Sequence, residues 1–245
     1  MDTNEFSNRF DVLVQEYITS KKFEVPTLGF NEYEKSIFLT QAQEELVKTL
    51  YSGENTYRES FEETERLRRY LANLVEDEVL SSIQPENIKA APYISFSSSY
   101  FKLPKRLMYI IWEQCKSAED SNCGVRLLSV IPVTHDTLTK KIKNPFKQPN
   151  NSQCFRLDLG NDIIEIISKL DLNTENPYHL RYIRRPNPIV LEDIKNEGLD
   201  IEGFDSITEC ELPEELHADI LRSAVVTAVT TRLTAVQNSN TKSNT

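Results

Sequence analysis

Hydrophobic residues recur every three or four positions in the first third of the chain, which is the spacing of one face of an α-helix. Two segments there begin with a capping pair, in which a polar residue is followed three positions later by glutamate: Asn31 with Glu34, and Ser60 with Glu63. We therefore predict three consecutive amphipathic helices within residues 1–90. Their apolar stripes are Phe6, Phe10, Leu13 and Tyr17, then Leu39, Ala42, Leu46 and Leu50, and finally Leu67, Leu71, Leu74 and Val75.

Short β-prone runs replace this pattern between residues 91 and 192. "RLMYIIWEQC" and "CGVRLLSVIPV" flank a polar loop, and "CFRLDL" and "DIIEIIS" are joined by the tight-turn pair Gly160-Asn161, so we predict two hairpins. "YHLRYIRR" is the last clear strand. A polar stretch between the hairpins predicts one short helix capped by Thr134, followed by an extended loop over 143–151.

A last amphipathic helix is predicted over residues 212–237, after a loop at 193–211, with Pro213 in its first turn. Residues 238–245 are polar and predict a flexible tail. The expected fold class is α+β, with an N-terminal helical bundle completed by the C-terminal helix, a central antiparallel β-rich portion and extended loops. The apolar face expected to pack on the N-terminal helices is Leu216, Ile220, Leu221, Ala224 and Ala228.

The charge balance argues against general nucleic-acid binding, because 28 basic and 38 acidic residues give a formal net charge of -10, which repels phosphate. The longest apolar runs are far shorter than a membrane span, and the first ten residues lack the apolar core of a signal peptide, so we expect synthesis in the cytosol and no membrane partner. The six glycines are scattered, whereas dinucleotide and P-loop sites need a glycine cluster. We expect no cofactor.

The histidines and cysteines do not form a recognisable reacting centre. His135 beside Asp136 suits a base with its orienting carboxylate, but it also suits the start of a helix capped by Thr134, which we favour. His179 is expected on the solvent side of a strand, and His217 at a surface or contact. The sequence predicts no catalytic residue and no metal site. The cysteines are expected to be reduced and buried: Cys115, Cys123, Cys154 and Cys210.

Two segments combine prolines with basic residues, "NPFKQPN" and "RRPNPIVL". Prolines cannot donate to a sheet ladder, so these segments suit extended arms that lie against a neighbouring copy in a closed ring, facing an acidic helix surface. Prolines that cap an edge strand in a monomer explain them at least as well. The candidate inter-subunit residues are Lys143, Pro145, Phe146, Lys147, Arg184, Arg185, Pro186 and Pro188, and the candidate acidic face is Glu62, Glu63 and Glu65.

Seven segments in order along nearly the whole chain together resemble the head-to-tail connector (adaptor or ring) proteins of crAss-like, short-tailed bacteriophages. The resemblance is specific in combination and not in any single piece. The segments are "NEFSNRFDVLVQEY", "NEYEKSIFLTQAQEELVKTLY", "SFEETERLRRYL", "LPKRLMYIIWEQC", "VIPVTHDTLTKKIKNPFKQPN", "YHLRYIRRPNPIVLEDI" and "CELPEELHADILRSAVVTAV".

The resemblance implies a structural virion protein and not an enzyme. It implies a ring, expected to be twelvefold to match a portal, that joins the portal to the tail and forms part of the DNA conduit. The implied partners are copies of the chain, the portal and further tail or ring proteins, with genomic DNA passing through unbound. The implied location is the portal vertex of the virion, after assembly in the host cytoplasm. Two alternatives stay open: a monomeric protein-binding adaptor and, less favoured, a virion-associated hydrolase.

Overall fold

The structure is a computed structural model that describes residues 1–21, 28–54, 59–84, 96–118, 124–175, 177–195 and 198–242. The chain divides into two compact units. The helical unit consists of Met1–Leu74 and Pro186–Thr245, and the sheet unit is Val75–Arg185. In chain order the elements are α1 (Thr3–Ser20), α2 (Glu32–Ser52), α3 (Glu65–Tyr70), a 3-10 turn (Ala72–Leu74), β1 (Val75–Leu80), β2 (Ser97–Lys102), β3 (Leu107–Lys116), β4 (Leu127–Val133), α4 (His135–Ile142), β5 (Gln153–Gly160), β6 (Ile163–Ser168), β7 (Tyr178–Arg184) and α5 (Glu214–Lys242).

The α+β class predicted from sequence is confirmed, and within the helical unit α5 packs against α1 and α2. The predicted apolar face of α5 is buried at every position. The helix extends through Lys242, so the tail predicted to begin at residue 238 is helical up to that point, and 243–245 lie outside the described residues. No helix in the described ranges has an apolar stretch long enough to cross a bilayer.

The buried face of α1 differs from the predicted stripe after its first turn and a half. Phe6 and Phe10 are buried as predicted, but the face continues with Val14 and Ile18, whereas Leu13 is half-buried. The buried residues of α1 are each four positions apart, slightly more than the 3.6 residues of one turn. The buried face therefore rotates gradually around the helix from its start to its end. Tyr17, the fourth residue of the predicted stripe, is likewise half-buried.

A buried lysine next to the confirmed Asn31–Glu34 capping box links α2 to α1 through two more exposed carboxylates. The Lys35 ammonium is 2.7 Å from Asp11 Oδ2 and 2.9 Å from Glu32 Oε1, and only 2% of the residue is exposed. Burial by itself lowers the pKa of Lys35, but the hydrogen bonds to the two carboxylates outweigh it, and the pKa is raised. Lys35 therefore stays protonated and positively charged although it is buried.

The third predicted helix is much shorter than expected. Residues 61–63 form a turn, α3 ends at Tyr70, and residues 75–80 form strand β1 instead of continuing a helix. The helical prediction there was wrong because the backbone of residues 75–80 pairs along its whole length with β7, a strand far away in sequence. Residues 85–90, also predicted as part of the helical region, lie outside the described residues.

The sheet unit contains a seven-stranded sheet in the order β1-β7-β3-β4-β5-β6-β2. Both predicted hairpins are confirmed, as β3–β4 and β5–β6. The turn of the second is Asn161-Asp162, one residue after the predicted pair Gly160-Asn161, and its φ values of 54° and 60° are the left-handed pair that a tight hairpin turn favours. "YHLRYIRR" is confirmed as β7. The start of the predicted run "YISFS", through residue 95, lies outside the described residues.

The prediction of an antiparallel β-rich portion was wrong at one pair of strands. β4 and β5 pair in parallel, and the other neighbouring strands are antiparallel. Parallel neighbours need a crossover, and α4 with the turn after it supplies one. Leu138 of α4 packs on Val133, Phe155 and Leu157, which covers one side of the sheet. A second core cluster contains Leu80, Phe101, Cys115, Leu128, Cys154, Ile164, Ile166, Tyr178, Leu180 and Tyr182.

Candidate functional site

The segment Asn187–Leu191, here called the α2 strap, is held by a row of buried polar side chains on α2. Ile189 N–H donates to Thr40 Oγ1 at 3.0 Å, and Leu191 N–H donates to Ser36 Oγ at 3.0 Å. Gln43 Nε2 donates to the Asn187 carbonyl at 2.8 Å. A helix places these three side chains on one face, so a segment outside the seven-stranded sheet still has its backbone groups satisfied.

The strap is covered on another side by the segment that leads into α5. Asn187 donates from its backbone and its side chain to the two carboxylate oxygens of Glu211, at 2.7 and 3.0 Å. Thr208 Oγ1 donates to the Pro188 carbonyl and accepts from Val190 N–H. The backbone of this proline-containing stretch is therefore held within its own unit. Pro186 and Pro188 are buried within their own chain, and their contact with another subunit stays a prediction.

Arg184 has an acidic partner within its own sheet unit. Arg184 Nε lies 2.8 Å from Glu76 Oε1, and Arg181 makes two contacts with Asp77, at 2.7 and 3.1 Å. Tyr182 Oη donates to Glu76 Oε2 at 2.9 Å. These pairs join β1 to β7. The acidic neighbour expected for Arg184 is thus supplied by β1, while Arg185 is exposed.

The segment Lys143–Lys147, here called the Phe146 knob, projects a hydrophobic ring into solvent. Phe146 is 97% exposed, and Lys143, Pro145 and Lys147 are exposed around it. The predicted extended loop is instead a turn: Asn144 Oδ1 accepts from Phe146 N–H at 3.0 Å, and the Asn144 carbonyl accepts from Lys147 N–H at 2.9 Å. All four residues are available for contact with another chain.

The three glutamates of the candidate acidic face are exposed but do not share one helix face. Glu62 and Glu63 lie in the turn before α3, where Glu63 Oε2 accepts from Ser60 N–H at 2.7 Å, as the predicted capping pair requires. Glu65 is the first residue of α3 and pairs with Arg69 at 2.6 Å. Their role at an interface or channel stays a prediction.

The histidines take three different positions. His135 is exposed at the start of α4, behind the confirmed Thr134–Thr137 capping box. His179 is half-buried, and burial, with the nearby Lys116 charge, lowers its pKa. His217, placed at a surface or contact by the sequence, is 3% exposed. Its Nε2 lies 2.9 Å from the Leu212 carbonyl, and burial lowers its pKa although that carbonyl acts in the opposite direction.

The cysteines and carboxylates form no metal centre in the described residues, which hold no group of three His, Cys, Asp or Glu side chains suited to an ion. Cys115 and Cys154 are buried free thiols, as predicted. Cys210 is only half-buried and donates to Gln43 Oε1 at 3.1 Å. Cys123 lies outside the described residues.

Sequence reasoning missed a buried charge network inside the sheet unit. Arg156 Nη1 lies 2.7 Å from Glu113 Oε1, and Tyr178 Oη donates to Glu113 Oε2 at 2.7 Å. The Arg156 and Glu113 side chains are 12% and 10% exposed. Burial raises the pKa of the Tyr178 hydroxyl, and the Glu113 charge adds to the effect. A signal was available, since Glu113 interrupts an otherwise apolar run in β3.

Nearly the whole chain is similar to known proteins of one family. A model described as "Phage tail ring protein 3/4" matches residues 1–242. The chain belongs to this phage tail ring protein family. It is 37% identical over 233 residues to "Ring protein 3" of Bacteroides phage crAss001, covering 94% of this chain and 95% of the relative. It is 32% identical over 235 residues to "Ring protein 4/5" of the same phage, covering 92% and 91%.

The resemblance to crAss-like phage ring proteins noted in the sequence is therefore confirmed. A closed ring of identical subunits repeats one heterologous contact, in which two different surfaces of the subunit meet. Each subunit of such a ring therefore carries two different contact surfaces, one for each neighbour.

Proposed function

We propose that this tail ring protein forms a closed ring of twelve identical subunits in the virion, between the portal and the rest of the tail, and that the ring encloses part of the DNA path. The observation that carries the proposal is the family match over nearly the whole chain, together with two full-length relatives named as ring proteins. The role is structural, and the chain catalyses no reaction. Its partners are its own copies, the portal and neighbouring ring or tail proteins.

Electron cryo-microscopy of virions, with classification focused on the portal vertex, tests this proposal directly. We expect twelve copies of the helical and sheet units around the DNA axis, next to the portal. A single copy at the vertex would favour a monomeric adaptor, and another location would contradict the proposal. Virions are the right sample because the portal is among the proposed partners of the ring.

We further propose that DNA passes through the ring without specific binding, and that Glu62, Glu63 and Glu65 face its path. The net charge of -10 supports a passage that repels phosphate. Substituting all three by glutamine keeps an acceptor for Ser60 N–H but removes the charges. We expect slower DNA ejection from variant virions, with a smaller difference at high salt.

The matched control neutralises three exposed glutamates elsewhere in the helical unit: Glu45→Gln, Glu192→Gln and Glu214→Gln. Ejection is followed by a dye that fluoresces on released DNA. If both triple variants eject DNA at the same rate as unmodified virions, Glu62, Glu63 and Glu65 do not line the DNA path.

A further inference from the structure

One open cavity in the helical unit combines an apolar floor with an acidic border. It has a volume of about 460 Å³ and lies among α2, α3 and α5. Its floor includes Leu50, Leu67 and Leu216, each 5% exposed or less. We call it the α2/α3/α5 cavity. Apolar and charged groups both line it, so a group that fits it would need an apolar part together with charged or polar atoms.

The border of this cavity carries more negative than positive charge. Glu54, Glu215 and Asp219 are exposed there, and Arg66 is the cation among the described lining residues. Asp219 lies 3.9 Å from Arg222, a loose contact between exposed groups that contributes little. A partner that brings an apolar side chain with flanking positive charge would match both the floor and the border.

The Phe146 knob has this chemistry. Phe146 is 97% exposed, more than any other large hydrophobic residue in the described part of the chain. Lys143 and Lys147 flank it, and neither forms an ion pair with another described residue. An exposed phenylalanine on a turn that its own hydrogen bonds shape is a preformed anchor, because little conformational freedom is lost when it docks.

We propose that in the ring the Phe146 knob of one copy inserts into the α2/α3/α5 cavity of the next copy. Phe146 covers the leucine floor, and Lys143 and Lys147 lie against Glu54, Glu215 and Asp219. The two surfaces are different and complementary, so the contact is heterologous and repeats around a ring. This inference rests on the proposed function and specifies its subunit interface.

Zero-length carbodiimide cross-linking of virions, followed by peptide mass spectrometry of the covalent dimer band, tests the contact itself. We expect amide bonds from Lys143 or Lys147 to Glu54, Glu215 or Asp219, between two copies of this chain. Bonds from these lysines to a different virion protein, or no bond to the cavity border, would overturn the interface. Microscopy still decides separately whether a ring is present, so the two proposals can fail independently.

Substitutions introduced through the phage genome test how strongly the Phe146 knob binds the cavity. Phe146→Ala removes the anchor without affecting the fold, because the side chain is almost fully exposed. We expect each contact to weaken about thirtyfold, as for truncation of a central aromatic anchor, and the number of copies per virion to fall at least about tenfold. Virions that keep all copies with Phe146→Ala would contradict the proposal.

A charge exchange provides the matched control. Glu54→Lys with Glu215→Lys is expected to lose the ring, as is Lys143→Glu with Lys147→Glu, and the four substitutions together are expected to restore it. Glu16→Lys with Glu192→Lys changes the charge of the same unit by the same amount at exposed residues outside the cavity lining and is expected to leave assembly intact. Equal losses from the two glutamate pairs would attribute the effect to net charge and overturn the specific contact.

Discussion

Substitution of Arg156 by methionine is expected to lower the free energy of unfolding of the sheet unit by about 3–5 kcal/mol. The change leaves the Glu113 carboxylate buried, with the Tyr178 hydroxyl, 2.7 Å away, as its remaining hydrogen-bond partner in the network. Removing one member of a buried ion pair costs far more than the pair contributes, because the other charge stays uncompensated. Urea unfolding monitored by fluorescence of Trp112, the single tryptophan, measures the loss within this unit.

Arg181→Met is the matched control, because it removes the same residue type from an ion pair in the same sheet. Arg181 and Asp77 are 51% and 62% exposed, so we expect a loss of about 0–1 kcal/mol. Adding Glu113→Gln to Arg156→Met is expected to recover part of the stability, since it removes the uncompensated charge. Similar losses for Arg156→Met and Arg181→Met would show that burial of the Glu113 pair does not determine its contribution.

Removal of the polar row on α2 is expected to release the α2 strap. Ser36→Ala, Thr40→Val and Gln43→Met together remove the acceptors of two strap N–H groups and the donors to two strap carbonyls. Each orphaned buried group costs about 1–3 kcal/mol. Hydrogen exchange measured by mass spectrometry is expected to show lost protection in a peptide containing Asn187–Leu191, and chemical unfolding a loss of several kcal/mol.

Thr227→Val serves as the control for the hydroxyl losses. Thr227 is exposed on α5 and donates only to the Ser223 carbonyl of its own helix, so its removal is expected to change neither measurement. Unchanged exchange of the strap in the triple variant would mean that the prolines and apolar side chains hold it without the α2 row.

Local sequence signals predicted the elements whose stability is local. The capping pair Asn31–Glu34, the buried face of α5 and the left-handed turn after Gly160 were all readable, because neighbours within four residues determine them. The parallel pairing of β4 and β5 had a signal too, since the connection between them contains a helix and exceeds what a hairpin needs.

Features that depend on distant partners could not be predicted in the same way. Strand β1 shows no alternation of polar and apolar residues, and it forms because its backbone pairs with β7 along its whole length, from Val75–Ile183 to Leu80–Tyr178. The sequence of the strap is that of a strand interrupted by prolines. Its conformation depends on hydrogen bonds to α2 side chains that are far away in sequence. Among the candidate contact residues, exposure of the Phe146 knob agreed with its polar, proline-containing sequence, whereas burial of Pro186 and Pro188 depends on this long-range packing.

The division of the chain also sets an order for folding during synthesis. The sheet unit is one continuous stretch, whereas the helical unit is assembled from both ends of the chain. While the ribosome is still translating, α1 and α2 have already emerged, but α5 and the strap that cover them are made last. Domains fold as units when their residues become available, so the sheet unit can fold first and the helical unit only after α5 has been made. A chain that lacks α5 therefore leaves the apolar faces of α1 and α2 uncovered, which makes it prone to aggregation and proteolysis.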